Sequence, residues 1–531
     1  AETPKRMTAM GGLMWRMDEI RDDGENVICG VLATAAPVQP HALRSLVRAR
    51  LLTYERFRSV PDKVDGNPGD PTWRPLAQDQ VDLDWHVTSA SLPEPAGPNE
   101  LGQMLRDMGR SRMPADRPLW RFTVIPNYSA APGACGAILC RVNHAIGDGT
   151  TLVHVLFSLL ERSEAGGTGI TKRVPKPLGT AVLNPFLLAD RAADFVYGCY
   201  WGVFGLGLTR PDDPNPFRPQ PDAPGELDFT FPAPGASVPL AKVKEVTAAM
   251  GCTLNDVAVA TLGLAFGCYF RAEGLAASRF RLMAPVNTRG AATLKGEEEF
   301  GNKFVFAVIN TPVATADPLE ALALAKQELD RLKRSPEIPI SMAINSGPLA
   351  RLAPASAIYQ NALLVLGKLS AVFTNVPGPP TSCRIVGEKV VDMNFSVTGM
   401  IGRLPVITLL TYNGLLRVGL SSDPERADGA ALGSGCSGVR RPIGAGGSAF
   451  AAPALFEKLA RVVLRRQAPL ALPRAVRCAP RRSSGVPQPE PPGEAHLHRA
   501  QRCGAAADER ADGRATAALA AATKVRPARP T

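Results

Sequence analysis

The ten cysteines include no Cys-x-x-Cys pair, no internal repeat is visible, and residues 1–420 carry almost no net charge. Each absence excludes something. Without paired thiol spacing there is no sequence mark of a zinc site or a disulfide frame, and the ten thiols read as reduced and buried, in a cytosolic setting. Without a repeat, solenoid and propeller arrays fall away. The formal net charge is +11, but residues 421–531 hold 18 Lys and Arg against 9 Asp and Glu, which leaves 42 against 40 for residues 1–420. The basic character therefore belongs to the tail, and the body gives no sign of nucleic-acid binding. For the tail, weak attraction to anionic lipid and a plain Arg-rich composition both remain open. The N-terminus, Ala1 to Arg6, leads into no apolar segment of secretory type, though the chain does not begin with Met and a preceding leader stays open. One candidate membrane segment, Phe195 to Leu208, has fourteen uncharged residues, too few to cross a bilayer. Its Gly and aromatic content fits an interfacial or re-entrant patch, and equally a helix packed on the protein itself.

At 531 residues, with 45% hydrophobic and 21% charged residues, the chain is globular and predicts two or more domains. Residues 1–170 read as a first α/β domain, 171–225 as a Pro- and Gly-rich connection, 226–423 as a second α/β domain, and 424–531 as a low-complexity basic tail with a disorder signature. In the first domain Leu43, Val47 and Leu51 recur every four residues after Pro40, and Leu101, Met104, Leu105 and Met108 mark a second helix. Trp120 to Ile125 alternates as a strand. In the second, Thr253 can cap a helix through Phe266, with Asp256 reaching back. Phe280–Val286 and Phe304–Ile309 read as strands, Asp317-Pro318 opens a long helix, and Asn413-Gly414 joins two strands as a hairpin. Asn375 to Pro380 reads as a rigid loop. Within the tail, Ala454 to Leu464 is a helical island, and the rest has the look of a misread or retained non-coding segment.

The organising stretch is Arg141 to Thr150. An apolar segment long enough for a buried strand, Gly136 to Cys140, precedes it, and a helical period through Leu160 follows. His144 and Asp148 thus fall in a tight turn between strand and helix, with Gly147 and Gly149 supplying backbone freedom. A neutral imidazole is the natural general base near pH 7. Asp148 can receive the ring or pin the loop by pairing with an Arg elsewhere; the spacing does not choose. Asn143 offers an amide to a developing oxyanion. The same residues also read as a plain helix N-terminus, with Asp148 as cap and His144 as a satisfied turn residue.

His144-Ala145-Ile146-Gly147-Asp148-Gly149 resembles the HHxxxDG motif of the bifunctional wax ester synthase/diacylglycerol acyltransferase (WS/DGAT) family, in the CoA-dependent acyltransferase superfamily. Asp82-Leu83-Asp84-Trp85-His86 is similar to that family's "DLDxH" stretch and Pro118-Leu119-Trp120 to its "PLW" motif. Asn255-Asp256 is similar to its "ND" helix, and Asn375-Val376-Pro377-Gly378-Pro379 to its "NVPGP" segment. Pro285 to Arg289 and Gly301-Asn302 match two further blocks in order. One position departs: Asn143 stands where the family has its first histidine.

The resemblance implies two chloramphenicol-acetyltransferase-like α/β domains with mixed sheets and an active-site channel between them. It implies transfer of a long-chain acyl group from acyl-CoA to a fatty alcohol or diacylglycerol, giving wax ester or triacylglycerol, with His144 as base and Asp148 orienting. No metal and no cofactor are expected beyond acyl-CoA as substrate. The expected location is peripheral, on the cytoplasmic side of the endoplasmic reticulum membrane or on a lipid droplet. Pro118, Leu119, Trp120, Asn255, Asp256, Asn375, Pro377 and Gly378 are expected to bind substrate or hold the motifs; for Trp85, His86 and Trp120 core packing is the plain alternative, and for Asn255 and Asp256 a helix cap. An amide-forming condensation enzyme, which shares the motif, and a catalytically inactive lipid-binding protein are the two alternatives.

Overall fold

The computed structural model describes residues 4–21, 25–62, 71–109, 111–129, 131–162, 209–218, 228–230, 237–289, 300–346, 354–398, 404–422 and 452–466. These fall within one compact unit, 1–472. The segment Phe195 to Leu208, with its expected membrane patch, lies outside the described residues.

Two seven-stranded sheets carry the fold. The strands that the first half gives to these two sheets are β1 (Val27–Thr34), β2 (Val87–Ser89), β3 (Trp120–Ile125), β4 (Gly136–Asn143) and β5 (Glu161–Arg162), while Lys5–Arg6, Ser59–Asp62 and Thr72–Pro75 form a small separate sheet. The second half supplies β6 (Asp228–Thr230), β7 (Val238–Pro239), β8 (Arg281–Asn287), β9 (Phe304–Asn310), β10 (Ala371–Pro377), β11 (Cys383–Ile385), β12 (Glu388–Thr398), β13 (Val406–Tyr412) and β14 (Leu415–Ser422). The first sheet runs β2-β3-β4-β1-β12-β11-β5, and the second runs β7-β14-β13-β10-β8-β9 with β6 beside β14. Both are mixed, as expected: β2 is parallel to β3, and β10 is parallel to both β8 and β13. Strand β12 pairs antiparallel with β1 from Val27 to Thr34, so a segment of the second half completes the first sheet. Sheet membership therefore crosses the 226–423 sequence division.

The helices include α1 (Ala9–Glu19), α2 (Pro40–Leu46), α3 (Pro98–Gly109), α4 (Gly149–Phe157), α5 (Leu240–Met250), α6 (Leu254–Ala272), α7 (Pro318–Arg334), α8 (Glu337–Ser346), α9 (Ala355–Leu366) and α10 (Ala452–Arg466). Local rules explain many of their ends. Pro40 opens α2, and Leu43, Val47 and Leu51 are fully buried along it and the π-helical turn that continues it. Burying each such side chain is worth about 1.5–3 kcal/mol. Thr253 and Asp256 close a reciprocal capping box on α6, and the Asp317 side chain caps α7. Asn413 and Gly414 both take positive φ, 46° and 75°, in the two-residue turn joining β13 to β14. Helix α6 is apolar over most of its length and buried in the second core; no single helix among the described residues is long and apolar enough to cross a membrane. In the connection, Asp212 makes a buried 2.6 Å ion pair with Arg281 at the start of β8 and accepts from Ser370 at 2.6 Å.

Three expectations are corrected. Asn375 to Pro377 is not loop: it is the end of β10, hydrogen-bonded in register with Leu409 to Thr411 of β13. A proline, lacking an N–H, is tolerated there because it ends the strand. Residues 424–531 are not all tail: the helical island read at Ala454 to Leu464 is α10, which packs Phe456, Leu459, Ala460 and Val463 into the second core. Its buried residues recur at helical spacing on one face. Among the cysteines, Cys29, Cys140, Cys252 and Cys383 are buried thiols outside any disulfide, but Cys135 is exposed and Cys268 is disulfide-bonded. Disulfide formation follows spatial proximity, which spacing in the chain does not report.

Candidate active site

Strand β4 is buried along its whole length and ends at Asn143, so the next residues form a turn rooted in the core. The His144 N–H donates to the Asn26 carbonyl at 2.8 Å, and the Ile146 N–H to the Asn143 carbonyl at 3.1 Å. Asp148 then caps α4 by accepting from the Thr151 N–H at 3.0 Å. The plain cap reading of Asp148 is thus correct, and it is only half of its role. Its other oxygen accepts from Arg289 Nη1 at 2.6 Å and from the Lys303 N–H at 3.0 Å. Both side chains of this ion pair are under 10% exposed (6% for Arg289, 8% for Asp148). Of the two roles open to Asp148, pairing with a distant Arg is the one adopted. Arg289 also donates to the Gly301 carbonyl and to Thr151 Oγ1, tying the start of α4 to the turn before β9.

That turn holds the imidazole. Asn302 donates its Nδ2 to the carbonyls of His144 at 2.7 Å and Ala145 at 3.4 Å. With its nitrogen committed to two acceptors, Asn302 faces His144 Nδ1 with its carbonyl oxygen, 3.2 Å away. A carbonyl oxygen can only accept, so Nδ1 carries the proton and the Nε2 lone pair is left for chemistry. Gly301 makes the approach possible: its φ is 102°, and a Cβ there would sit 2.7 Å from Thr8 Cγ2. Thr8 Oγ1 caps α1 through the Gly11 N–H and also accepts from the Asn302 N–H at 3.2 Å. Burial lowers the pKa of His144 below its usual value, outweighing the opposing pull of a hydrogen bond to its own backbone, of Asp148 and of Asn302. His144 is half-buried, and its ring lies 5.8 Å from the Phe304 ring. Phe304 belongs to an apolar cluster with Met10 and Met14 of α1 and Met283 of β8.

Asn143 points elsewhere than expected. Its Nδ2 donates to Glu25 Oε2 at 2.5 Å and to Asp18 Oδ2 at 3.3 Å, and its Oδ1 accepts from the Ala145 N–H at 2.8 Å. With both amide hydrogens given to buried carboxylates, it has no donor to spare for an oxyanion. Burial raises the pKa of Glu25 and pushes that of Asp18 up to about 7.

The remaining motif residues sort by contact. Leu119 accepts the Asn143 N–H at 2.9 Å, seating the PLW motif against the loop. Trp120 is buried, donates to the Phe57 carbonyl at 2.7 Å and stacks on His86 at 4.2 Å. His86 Nδ1 meets the Trp120 carbonyl at 2.7 Å, and burial lowers its pKa to about 4. Asp82 pairs with Arg117 at 2.9 Å, so the "DLDxH" and "PLW" stretches brace each other. Pro118 accepts from the Trp120 N–H within that turn. Asn255 accepts from Asn375 Nδ2 at 2.8 Å, joining "ND" to "NVPGP", while Asp256 serves the α6 cap. Pro377 ends β10, and a Cβ at Gly378 would overlap the Thr411 carbonyl oxygen. Val376 reaches the loop: a Cβ at Gly149 would lie 3.3 Å from its Cγ2. Asn302, Arg289 and Thr8 were missed as site residues. The first two lay in short blocks already noted by their order; Thr8 carried no signal beyond a helix cap.

Residues 2–184 match the wax ester synthase/diacylglycerol acyltransferase catalytic domain, and residues 300–434 match the WS/DGAT C-terminal domain. The chain is 25% identical over 405 residues to a probable diacylglycerol O-acyltransferase of Mycobacterium tuberculosis, covering 74% of this chain and 85% of the relative. Its fold is similar to the wax ester synthase/diacylglycerol acyltransferase from Marinobacter aquaeolei VT8, with a TM-score of 0.53 and 17% identity, over 87% of this chain and all of that one. The first condensation domain of the CDA synthetase shares the fold at a TM-score of 0.52 and 15% identity, over 88% of this chain and 98% of that one.

Proposed function

Because this chain belongs to the wax ester synthase/diacylglycerol acyltransferase family of acyltransferases, we propose that it moves a long-chain acyl group from acyl-CoA to the hydroxyl of a fatty alcohol or diacylglycerol, with His144 as general base. The observation that carries this reading is the Asn302 carboxamide, whose nitrogen is spent on two carbonyls and whose oxygen faces His144 Nδ1 at 3.2 Å. It leaves a neutral imidazole with Nε2 unprotonated. Nε2 takes the hydroxyl proton as the oxygen attacks the thioester carbon. The tetrahedral intermediate collapses, the C–S bond breaks, and the imidazolium returns its proton to the departing thiolate. Atoms and charge balance without a covalent acyl-enzyme, a metal or a further cofactor. Proximity of the two substrates to one base supplies much of the acceleration. The apolar cluster of Met10, Met14, Met283 and Phe304 beside the ring supports an oily acyl chain, since unbranched, polarizable Met side chains adapt to varied apolar surfaces. On this reading the protein works at a lipid surface, the cytoplasmic face of the endoplasmic reticulum or a lipid droplet, where its acceptor is dissolved. The test is ester formation from labelled acyl-CoA offered hexadecanol and diacylglycerol side by side. His144→Ala is expected to lose about a hundredfold or more in kcat; undiminished ester formation would refute the mechanism.

A further inference from the structure

The His144 loop is held by Asn302 and, through Asn143, by a pair of acids. Asp18 at the end of α1, with Glu25 and Asn26 just ahead of β1, places three contacts against it. Asp18 and Glu25 accept from the Asn143 carboxamide, and the Asn26 carbonyl accepts the His144 N–H. Asp18, Glu25, Asn26 and Asn143 are all buried. Glu25 uses both its oxygens: Oε1 accepts from the Met113 N–H and Oε2 from Asn143. Asp18 also spends both, sharing the Asn26 N–H at 3.2 Å, with Arg21 Nη1 3.7 Å from Oδ1. Arg141, the neighbour of Asn143 on β4, lies close enough to Glu25 to offset part of its charge, and it donates to the Met108 carbonyl at 2.6 Å. Asn143 is thus a neutral group giving two hydrogens to two acids and taking one from Ala145. Its orientation is over-determined, and so is that of the peptide that starts the loop.

We propose that Asp18 and Glu25 are positioning residues for the acyl transfer, acting through Asn143 to set where His144 stands. Asn143 is the residue matched to this acid pair: one carboxamide supplies both hydrogens with no charge of its own. The inference rests on the reading of His144 as base. It assigns no contact with substrate to either acid.

The test inverts the polarity of the cluster. In Glu25→Gln an amide nitrogen must face either the Met113 N–H or the Asn143 amide, both donors. In Asn143→Asp a carboxylate faces two carboxyl groups. Each single variant is expected to lower kcat tenfold or more while KM for acyl-CoA stays within twofold. The triple variant Asp18→Asn/Glu25→Gln/Asn143→Asp turns both acceptors into donors and the donor into an acceptor, and position 143 can still accept the Ala145 N–H. Its kcat is expected to return to within about threefold of wild type. Single variants with wild-type kcat, or a triple variant no faster than the slower single, would overturn the proposal. Thermal melting of every variant is read alongside: if the singles fail to fold, the triple alone decides, because its melting temperature and its kcat should recover together. A folded triple with low kcat counts against positioning. His144→Ala in the same assay separates the two readings. If it keeps wild-type kcat, the assignment of the base fails; if it is inactive and the swap shows no rescue, the positioning fails.

Discussion

Asn302 is the residue whose removal best tests the reasoning. It is buried, and its side chain makes three polar contacts with two residues of the loop: Nδ2 to the His144 and Ala145 carbonyls, and Oδ1 to His144 Nδ1. Asn302→Ala removes all three, taking a donor from two backbone carbonyls and an acceptor from the ring N–H. Each buried group left unsatisfied costs about 1–3 kcal/mol. Where that cost falls on the placement of the base rather than on folding, 1–3 kcal/mol corresponds to about five- to 150-fold in kcat. The loss should sit in kcat, because none of these contacts reaches the thioester or the hydroxyl. Asn302→Asp sharpens the test. A carboxylate still accepts from Nδ1–H, but it cannot donate to the two carbonyls, and its charge favours the imidazolium. The acid limb of its rate profile should therefore move to higher pH than in wild type, while Asn302→Ala shows no such rise. The assay is initial-rate ester formation from labelled acyl-CoA across pH 5–8, with thermal melting to confirm folding. A folded Asn302→Ala with wild-type kcat would refute the claim that this carboxamide fixes the ring.

Other outcomes follow from the same geometry. Burial holds the folded pKa of His144 below its ordinary value near 6.5, so under the proposed mechanism the neutral imidazole persists as pH falls through 6.5 and is lost only below it; a half-maximal pH for kcat/KM at or above 6.5 would contradict this. Arg289→Ala strands Asp148 as a buried charge, and removing one partner of such a pair costs about 3–5 kcal/mol, to be read from denaturant midpoints. A loss below about 1 kcal/mol would mean the pair is not what holds the loop. Gly378→Ala drives a methyl into the Thr411 carbonyl oxygen and should destabilise by about 1–3 kcal/mol, whereas a neutral result would show that the close approach of the end of β10 to β13 is dispensable.

Much of the scaffold around the site is written locally. The capping box of Thr253 and Asp256, the Asp317-Pro318 helix start, the Asn413-Gly414 hairpin and the buried run of β4 each depend on residues within a few positions of one another. Period and cap chemistry are enough to read them. The strand–turn–helix that presents His144 and the cap made by Asp148 are of this kind. So is the one-sided apolar face of α10, read as a helical island within the tail.

What only the tertiary structure decided are the contacts made across long separations. Asp148 finds Arg289, His144 finds Asn302, and Asn143 turns to Asp18 and Glu25, each over more than a hundred residues of chain. No periodicity links such pairs, and a side chain's partner depends on which strands lie side by side. The joining of β12 to β1 is the clearest case, since it carries a second-half strand into the first sheet. The chain alone named the histidine and its turn. The direction of its lone pair came from a carboxamide brought there by the other half of the molecule, because a tautomer is set by whatever hydrogen-bond partner the fold delivers to the opposite nitrogen.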